Sequence, residues 1–119
     1  MRITISPSGG TPAEQVYDQL RGLITTGGLA ADDRLPSVRR LAADLGVAPG
    51  TIAKAHRRLE EDEFVVSRTG AGTRVSPQAS AVSRSVARAA RSLIVAAKHD
   101  GLTYEDTQRA LRAMWMSDR

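Results

Sequence analysis

The sequence predicts a mostly α-helical protein with one small β-hairpin. Apolar residues recur at helical spacing in several short segments, and a glycine turn at Gly46 joins two of them. A pair of short apolar stretches then surrounds the glycine-rich segment 69–73. This order of helix, tight turn, helix and hairpin predicts a winged helix-turn-helix domain over residues 1–76. A short helical dimerisation region is expected over residues 77–119.

Composition and charge narrow the class of protein. The chain has 119 residues, a formal net charge of +4 and no cysteine, so disulfides and thiolate metal sites are excluded. Basic residues cluster between Arg34 and Arg58, which favours a polyanionic partner, whereas residues 60–63 form an acidic run. No apolar run approaches the roughly 20 residues that cross a bilayer, and no signal peptide is evident. We therefore expect a cytoplasmic protein without a membrane partner. The alanine- and arginine-rich composition indicates a bacterial source, and the basic cluster then favours association with the nucleoid.

The first elements follow from alternation and capping signals. Residues 1–6 are expected to form a short strand, because Ile3 and Ile5 alternate with polar residues. Thr11 and Glu14 occupy the two positions of a capping box, so a first helix should begin between them. A pair of glycines ends that helix.

The next two helices form the expected helix-turn-helix. Ser37 is the expected N-cap of the second helix, Gly46 supplies the turn, and Pro49 opens the third helix. The predicted inner faces of the three helices are Val16, Leu20, Leu23 and Ile24; Val38, Leu41, Ala42 and Leu45; and Ile52, Ala55, His56 and Leu59.

The hairpin is expected to have strands at residues 64–68 and 73–76. Gly70 and Gly72 permit positive φ at its tip, and Arg68 and Arg74 lie on either side of that tip. Residues 77–80 are a plausible hinge.

Two C-terminal helices are expected, one over residues 81–98 and one starting at Thr103 with Asp106. A two-helix hairpin cannot bury its own apolar stripe well, and pairing with a second subunit would give a four-helix cluster. The alternative is that both helices fold back onto the winged domain. We expect a homodimer whose interface residues are Val86, Ala89, Leu93, Ala97, Leu111, Met114 and Trp115.

Several motifs resemble a known family. LPSVRRLAADLGV, TIAKAHRRLEEDEFV and RTGAGTRV, with the upstream PAEQVYDQLRGLITTG, are similar to the winged helix-turn-helix of the GntR family of bacterial transcriptional regulators. The short two-helix tail, and Pro49 before Thr51, resemble its YtrA subfamily. This chain departs from the family pattern at Ala48–Gly50, at His56 where Tyr is common, and at Glu63 where Gly is usual.

The resemblance implies a DNA-binding transcriptional regulator, and repression rather than activation. By the same resemblance, Arg39 reads DNA, Thr51 and Lys54 contact DNA from the third helix, and Gly70 lies at the wing tip. Arginine can bond guanine through two hydrogen bonds, which favours a base contact for Arg39.

The residue pattern adds further expectations. Thr51 and Lys54 should contact phosphates, and Arg57 or Arg58 should reach the DNA backbone further along. Alternatively, Arg57 and Arg58 form a solvated face that is ion-paired with the acidic run. Arg40 is expected to pair with Asp44 at i+4. The complete expected DNA-binding set is Ser37, Arg39, Arg40, Pro49, Gly50, Thr51, Lys54, Arg57, Arg58, Arg68, Gly70, Gly72 and Thr73.

Other classes of function fit the sequence less well than a transcriptional regulator. An enzyme is not expected, because no paired carboxylates, phosphate loop or nucleophile signature is visible. Neither a metal nor a cofactor is expected. A non-specific architectural DNA-binding protein is the alternative function, since Ala48 and Gly50 offer no polar side chain for base readout. An unknown small-molecule effector is left open, as is whether Arg84, Arg88 and Arg91 contact DNA or only solvent.

Overall fold

The computed structural model describes residues 2–118, which form two compact units, one running to Arg84 and one beginning at Ser85. No helix in this described range is both long enough and apolar enough to span a membrane. The elements confirm a mostly helical fold with one antiparallel hairpin. They are α1 (Pro12–Thr26), α2 (Val38–Leu45), α3 (Pro49–Glu61), β1 (Val65–Arg68), β2 (Gly72–Val75), α4 (Arg84–His99) and α5 (Tyr104–Ser117).

The helix ends form where local signals predict them. The Thr11 hydroxyl accepts a hydrogen bond from the Glu14 N–H, and the Glu14 carboxylate accepts one from the Thr11 N–H. The Ser37 hydroxyl likewise accepts from the Arg40 N–H and caps α2. Because these bonds join residues three apart, their pattern can be read directly from the sequence.

The core lies between α1, α2, α3 and the hairpin. α3 is central, since it packs against α1 and α2 and adjoins β1. The predicted inner face of α3 is buried as expected, whereas Leu23, Val38 and Leu45 are only partly buried. The largest fully buried side chains are Leu20, Ile24, Ile52, Leu59, Val16, Val65 and Val75.

The expected N-terminal strand is wrong, because the described part of residues 1–6 is not a strand. Two glutamine side chains of α1 take the place of a partner strand. Gln19 accepts from the Thr4 N–H at 3.0 Å and donates to its carbonyl at 2.6 Å. Gln15 makes the same pair of bonds to Ser6, both at 2.7 Å. The alternation itself was informative, since Ile3 is buried.

The hairpin, called the wing below, pairs Val65 with Val75 and Arg68 with Gly72. Its strands therefore begin one residue later and one residue earlier than predicted. The loop before α2 pairs with the outer edge of β2. The Leu35 N–H donates to the Thr73 carbonyl and the Val75 N–H to the Asp33 carbonyl, each at 2.9 Å. The wing is thereby fixed to the segment that leads into α2.

The segment between the wing and α4 packs within the first unit. The Ser80 hydroxyl donates to the Leu29 carbonyl at 3.2 Å. The Arg84 guanidinium forms a 3.2 Å ion pair with Asp32. α4 begins at Arg84 instead of residue 81, and the chain divides into its two compact units after Arg84.

The second unit has almost no interior. α5 has no buried residue, and in α4 only Ala87 and Ala97 are buried. The two helices make little contact with each other beyond the turn at Gly101, where the Leu102 N–H donates to the Ala97 carbonyl. Within the described chain the pair therefore buries little of its own apolar surface.

Candidate nucleic-acid interface

The N-terminus of α2 presents two exposed arginines. Arg39 and Arg40 follow the Ser37 cap, and both side chains are exposed. The predicted Arg40–Asp44 ion pair is wrong: among the described residues no salt bridge joins the two side chains. A surface pair gains little in water, so it does not outweigh the entropy of two mobile side chains. Both guanidinium groups are thus available to a ligand.

The start of α3 offers backbone groups instead of polar side chains. Ala48 is the N-cap residue and provides no side-chain hydrogen bond. Pro49 and Gly50 are exposed, and Thr51 is half-buried. Pro49 has no N–H and the Thr51 N–H donates to the Ala48 carbonyl at 3.0 Å, which leaves the Gly50 N–H for an anion such as a phosphate.

The basic residues of α3 fall into two environments. Lys54 and Arg57 are exposed. Arg58 instead lies over the ring of Tyr17 on α1, 4.0 Å from the ring centroid. The Tyr17 hydroxyl donates to the Asp62 carboxylate, and burial together with this acceptor raises the pKa of Tyr17. Arg58 is exposed as well, but its guanidinium, unlike the charged groups of the other cations of the helix, lies over an aromatic ring.

The wing carries Arg68 at the end of β1, with an exposed side chain. Gly70 and Gly72 have φ of 81° and 75°, the left-handed values expected at the tip. The half-buried Thr73 shares a 3.1 Å hydrogen bond with the Ser67 hydroxyl across the strands. The Arg74 guanidinium donates to the Asp32 carbonyl, in the loop before α2, at 3.1 Å.

Arg34 was not singled out from the sequence. It pairs with Arg74 in an isolated bridge, and its side chain lies against Gly72 of the wing. No local signal indicates this position, because the contact joins residues 38 positions apart in the chain.

Acidic groups are concentrated elsewhere on the first unit. The run at residues 60–63 ends α3, and the Glu60 carboxylate accepts from the Ser67 N–H at 3.1 Å. Arg21 lies on this side, with its guanidinium 5.6 Å from the Phe64 ring centroid. The described residues include no cluster of His, Cys, Asp or Glu that could hold a metal ion.

The model of the family described as "Bacterial regulatory proteins, gntR family" matches residues 12–75, which contain α1, α2, α3 and the wing. The chain belongs to the GntR family. As a member of this family it is a transcriptional regulator that binds DNA, and it is not an enzyme.

Two relatives of this GntR protein are regulators of similar type. It is 37% identical over 78 residues to the HTH-type transcriptional repressor YtrA of Bacillus subtilis, a match covering 65% of this chain and 60% of that protein. It is 38% identical over 100 residues to the HTH-type transcriptional regulator Rv1152 of Mycobacterium tuberculosis, covering 81% of this chain and 82% of that one.

Two solved structures share the architecture. YtrA from Sulfolobus acidocaldarius, a GntR-family transcription factor, superposes with a TM-score of 0.58 at 35% identity, covering 79% of this chain and 97% of that chain. The DNA-binding domain of AraR in complex with operator ORX1 superposes with a TM-score of 0.55 at 26% identity, covering 64% and 92%. The YtrA matches confirm the resemblance to that subfamily.

Proposed function

We propose that this GntR protein is a homodimeric repressor that binds a palindromic operator. The observation that carries the proposal is the basic surface of the first unit, formed by exposed cations from three adjoining elements. We define the basic surface as Arg39 and Arg40 of α2, Lys54 and Arg57 of α3, and Arg68 of the wing. The relative named a repressor, YtrA of Bacillus subtilis, supports the direction of regulation.

In this proposal each element of the basic surface contacts a different part of the DNA. The start of α3 enters the major groove, with the Gly50 N–H and the side chains of Thr51 and Lys54 on phosphates. Arg39 contacts guanine, because it is exposed at the first turn of α2 and a guanidinium can make two bonds to that base. Arg68 and the glycine tip approach the minor groove.

The exposed apolar residues of α4 and α5 support the homodimer. Val86, Leu93 and Leu111 are 57%, 41% and 49% exposed, and Met114 and Trp115 are 67% and 77% exposed. Ala89 is exposed beside them, whereas Ala97 is already buried within the chain. Exposed apolar area on this scale marks a protein interface more often than a solvated face. Two copies of α4 and α5 would bury it in a four-helix cluster.

Dimerisation also gives the proposed function its affinity. Two winged domains that are held together read two half-sites, and the second binding event becomes intramolecular. We expect half-site centres about one helical turn apart. α5 has no buried residue in the described chain, so the C-terminal helices do not enclose an effector by themselves, and the subunit interface is one place where an effector could bind. On this proposal the protein acts on chromosomal DNA in the bacterial cytoplasm.

Selection of bound duplexes from a random pool, at physiological salt, tests the proposal. A two-fold symmetric consensus is the expected result. Bound DNA without any consensus would contradict sequence-specific control and favour the architectural alternative. A reporter gene placed behind the selected operator then tests repression, because a repressor lowers expression and an activator raises it.

A further inference from the structure

Arg34 lies where two parts of the basic surface meet. Its backbone pairs with Arg74 of β2, and the next residue, Leu35, donates its N–H to the Thr73 carbonyl at 2.9 Å. Three residues later, Ser37 caps α2. Arg34 is thus fixed by its backbone between the wing and the N-terminus of α2, while its side chain is exposed.

The Arg34 guanidinium lies against Gly72 of the wing. A Cβ atom built on Gly72 would lie 2.8 Å from Arg34 Nε and 3.2 Å from its Cζ, which is too close for a real contact. The φ of 75° at Gly72 also favours glycine. Glycine at this position therefore serves the wing turn and also leaves room for the guanidinium.

Arg34 lines an open groove of about 710 Å³ with two further arginines, Arg2 and Arg40. The hydrogen bonds of Gln15 and Gln19 fix the N-terminal segment that carries Arg2. We call this the arginine groove; Ser37 and apolar side chains also line it. One carboxylate, that of Asp44, lines it too. No carboxylate of the described residues forms a salt bridge with Arg34.

We propose that Arg34, assisted by Arg2, binds a DNA backbone phosphate in the arginine groove and so extends the DNA contact from α2 to the wing. The inference rests on the proposed function and names residues that neither the sequence patterns nor the family resemblance indicated. Three guanidinium groups against one carboxylate attract an anion, and phosphate is the anion that DNA presents beside a helix-turn-helix. Such a contact positions the protein and carries no sequence information.

The salt dependence of DNA binding tests this inference in the full-length protein. The affinity of the wild type and of Arg34→Ala for one selected duplex and one unrelated duplex is measured by fluorescence anisotropy from low to physiological salt. The slope of log K against log salt is negative, and each lost phosphate contact makes it shallower by about 0.9. A dimer that loses two contacts should therefore have a slope shallower by about 1.8. Arg2→Ala should reduce the slope in the same direction.

Two control variants make the result specific. Arg34→Lys keeps a charge able to bind phosphate and should retain most of the slope. Arg21→Ala removes one positive charge from the same unit but lies beside the acidic run, where phosphates are repelled, and should keep the wild-type slope. Circular dichroism confirms that each variant is folded.

The outcomes separate this inference from the proposed function. A smaller slope for Arg34→Ala, with an equal loss of affinity on both duplexes, supports a phosphate contact. A slope for Arg34→Ala equal to those of wild type and Arg21→Ala overturns the inference but leaves the operator proposal standing. Loss of affinity for the selected duplex alone would also overturn it, because that indicates a base contact. A wild-type protein that binds neither duplex would overturn both.

Discussion

The guanidinium of Arg58 lies 4.0 Å from the centroid of the Tyr17 ring and joins the C-terminal half of α3 to α1. A cation over an aromatic face is attracted by the quadrupole of the ring. The arrangement is reinforced because the Tyr17 hydroxyl donates to Asp62 in the turn after Arg58. Both arginines of the adjacent pair on α3 are exposed. We expect Arg58 to contribute mainly to stability and Arg57 to be the one that contacts DNA.

This difference between the two arginines predicts that Arg58→Ala affects stability and that Arg57→Ala affects DNA binding. Arg58→Ala should lower the free energy of unfolding by about 0.5–1 kcal/mol, the usual size of a cation–π contact at an exposed site. Arg57→Ala should leave stability unchanged and weaken DNA binding through the loss of a phosphate contact. Urea denaturation and fluorescence anisotropy measure the two quantities. A stable Arg58→Ala protein with the larger loss of DNA affinity would contradict the assignment.

Replacement of Arg39 by Ala should abolish discrimination between the selected operator and unrelated DNA. A bidentate contact to guanine provides about 1–3 kcal/mol of discrimination in each half-site. Arg39→Lys is the matched control, since it keeps the charge and loses the two-pronged geometry, and it should retain non-specific affinity only. Competition anisotropy with operator and random duplexes gives the ratio of the operator affinity to the affinity for unrelated DNA. Full operator affinity of Arg39→Ala would show that the base contact lies elsewhere.

Leu93→Glu should convert the dimer into monomers, because a carboxylate on the apolar side of α4 would be buried in the proposed interface without a partner. Val95→Glu provides the control. Val95 is 70% exposed and lies among Arg88, Arg91 and His99, on the opposite side of the helix. Sedimentation velocity should therefore give a monomer for the first variant and a dimer for the second. Dimers in both cases, or monomeric wild type, would remove α4 from the interface.

Glu63→Gly should stabilise the first unit. Glu63 has a φ of 65°, a left-handed conformation that costs a residue with a Cβ about 1–2 kcal/mol. Glycine removes this strain but loses more backbone entropy on folding, so the net gain should be up to about 1 kcal/mol. Glu63→Ala removes the same charge and keeps the strain, so it should bring no comparable gain. Thermal unfolding followed by circular dichroism compares the two.

His56 should make the protein less stable in mild acid. Burial lowers the pKa of His56 below its usual 6.5, and its Nε2 has no hydrogen-bond partner among residues 2–118. In the unfolded chain the imidazole binds a proton near its ordinary pKa, whereas the folded protein holds it neutral to a lower pH. Stability is therefore fully present above the unfolded pKa and is lost as the pH falls through the interval between the two values.

Urea denaturation between pH 7.5 and 5 tests the contribution of His56. His56→Phe should show a smaller decrease over this range than the wild type, whatever its stability at neutral pH. His99→Gln replaces the exposed histidine at the end of α4 and should keep the wild-type decrease. If His99→Gln instead removed the decrease and His56→Phe kept it, the acid sensitivity would not come from the core.

The sequence alone determined the helices of the first unit and the general position of the DNA-binding elements. The Thr11 and Ser37 caps, the Gly46 turn and the inner face of α3 all depend on residues within about four positions of one another. Such interactions leave a regular pattern in the chain, because the geometry of a helix is local. The family resemblance adds the expectation that Arg39, Thr51, Lys54 and the wing contact DNA.

Only the tertiary structure decided which neighbours the charged side chains have. Arg58 and Tyr17 are 41 positions apart, and Arg34 and Gly72 are 38 apart, so neither pair is linked by a periodic pattern. The N-terminal segment alternates like a strand, yet it bonds to Gln15 and Gln19 because no partner strand lies beside it. Alternation indicates which side chains are buried. Which groups form hydrogen bonds with the backbone depends on packing between segments that are distant in the chain.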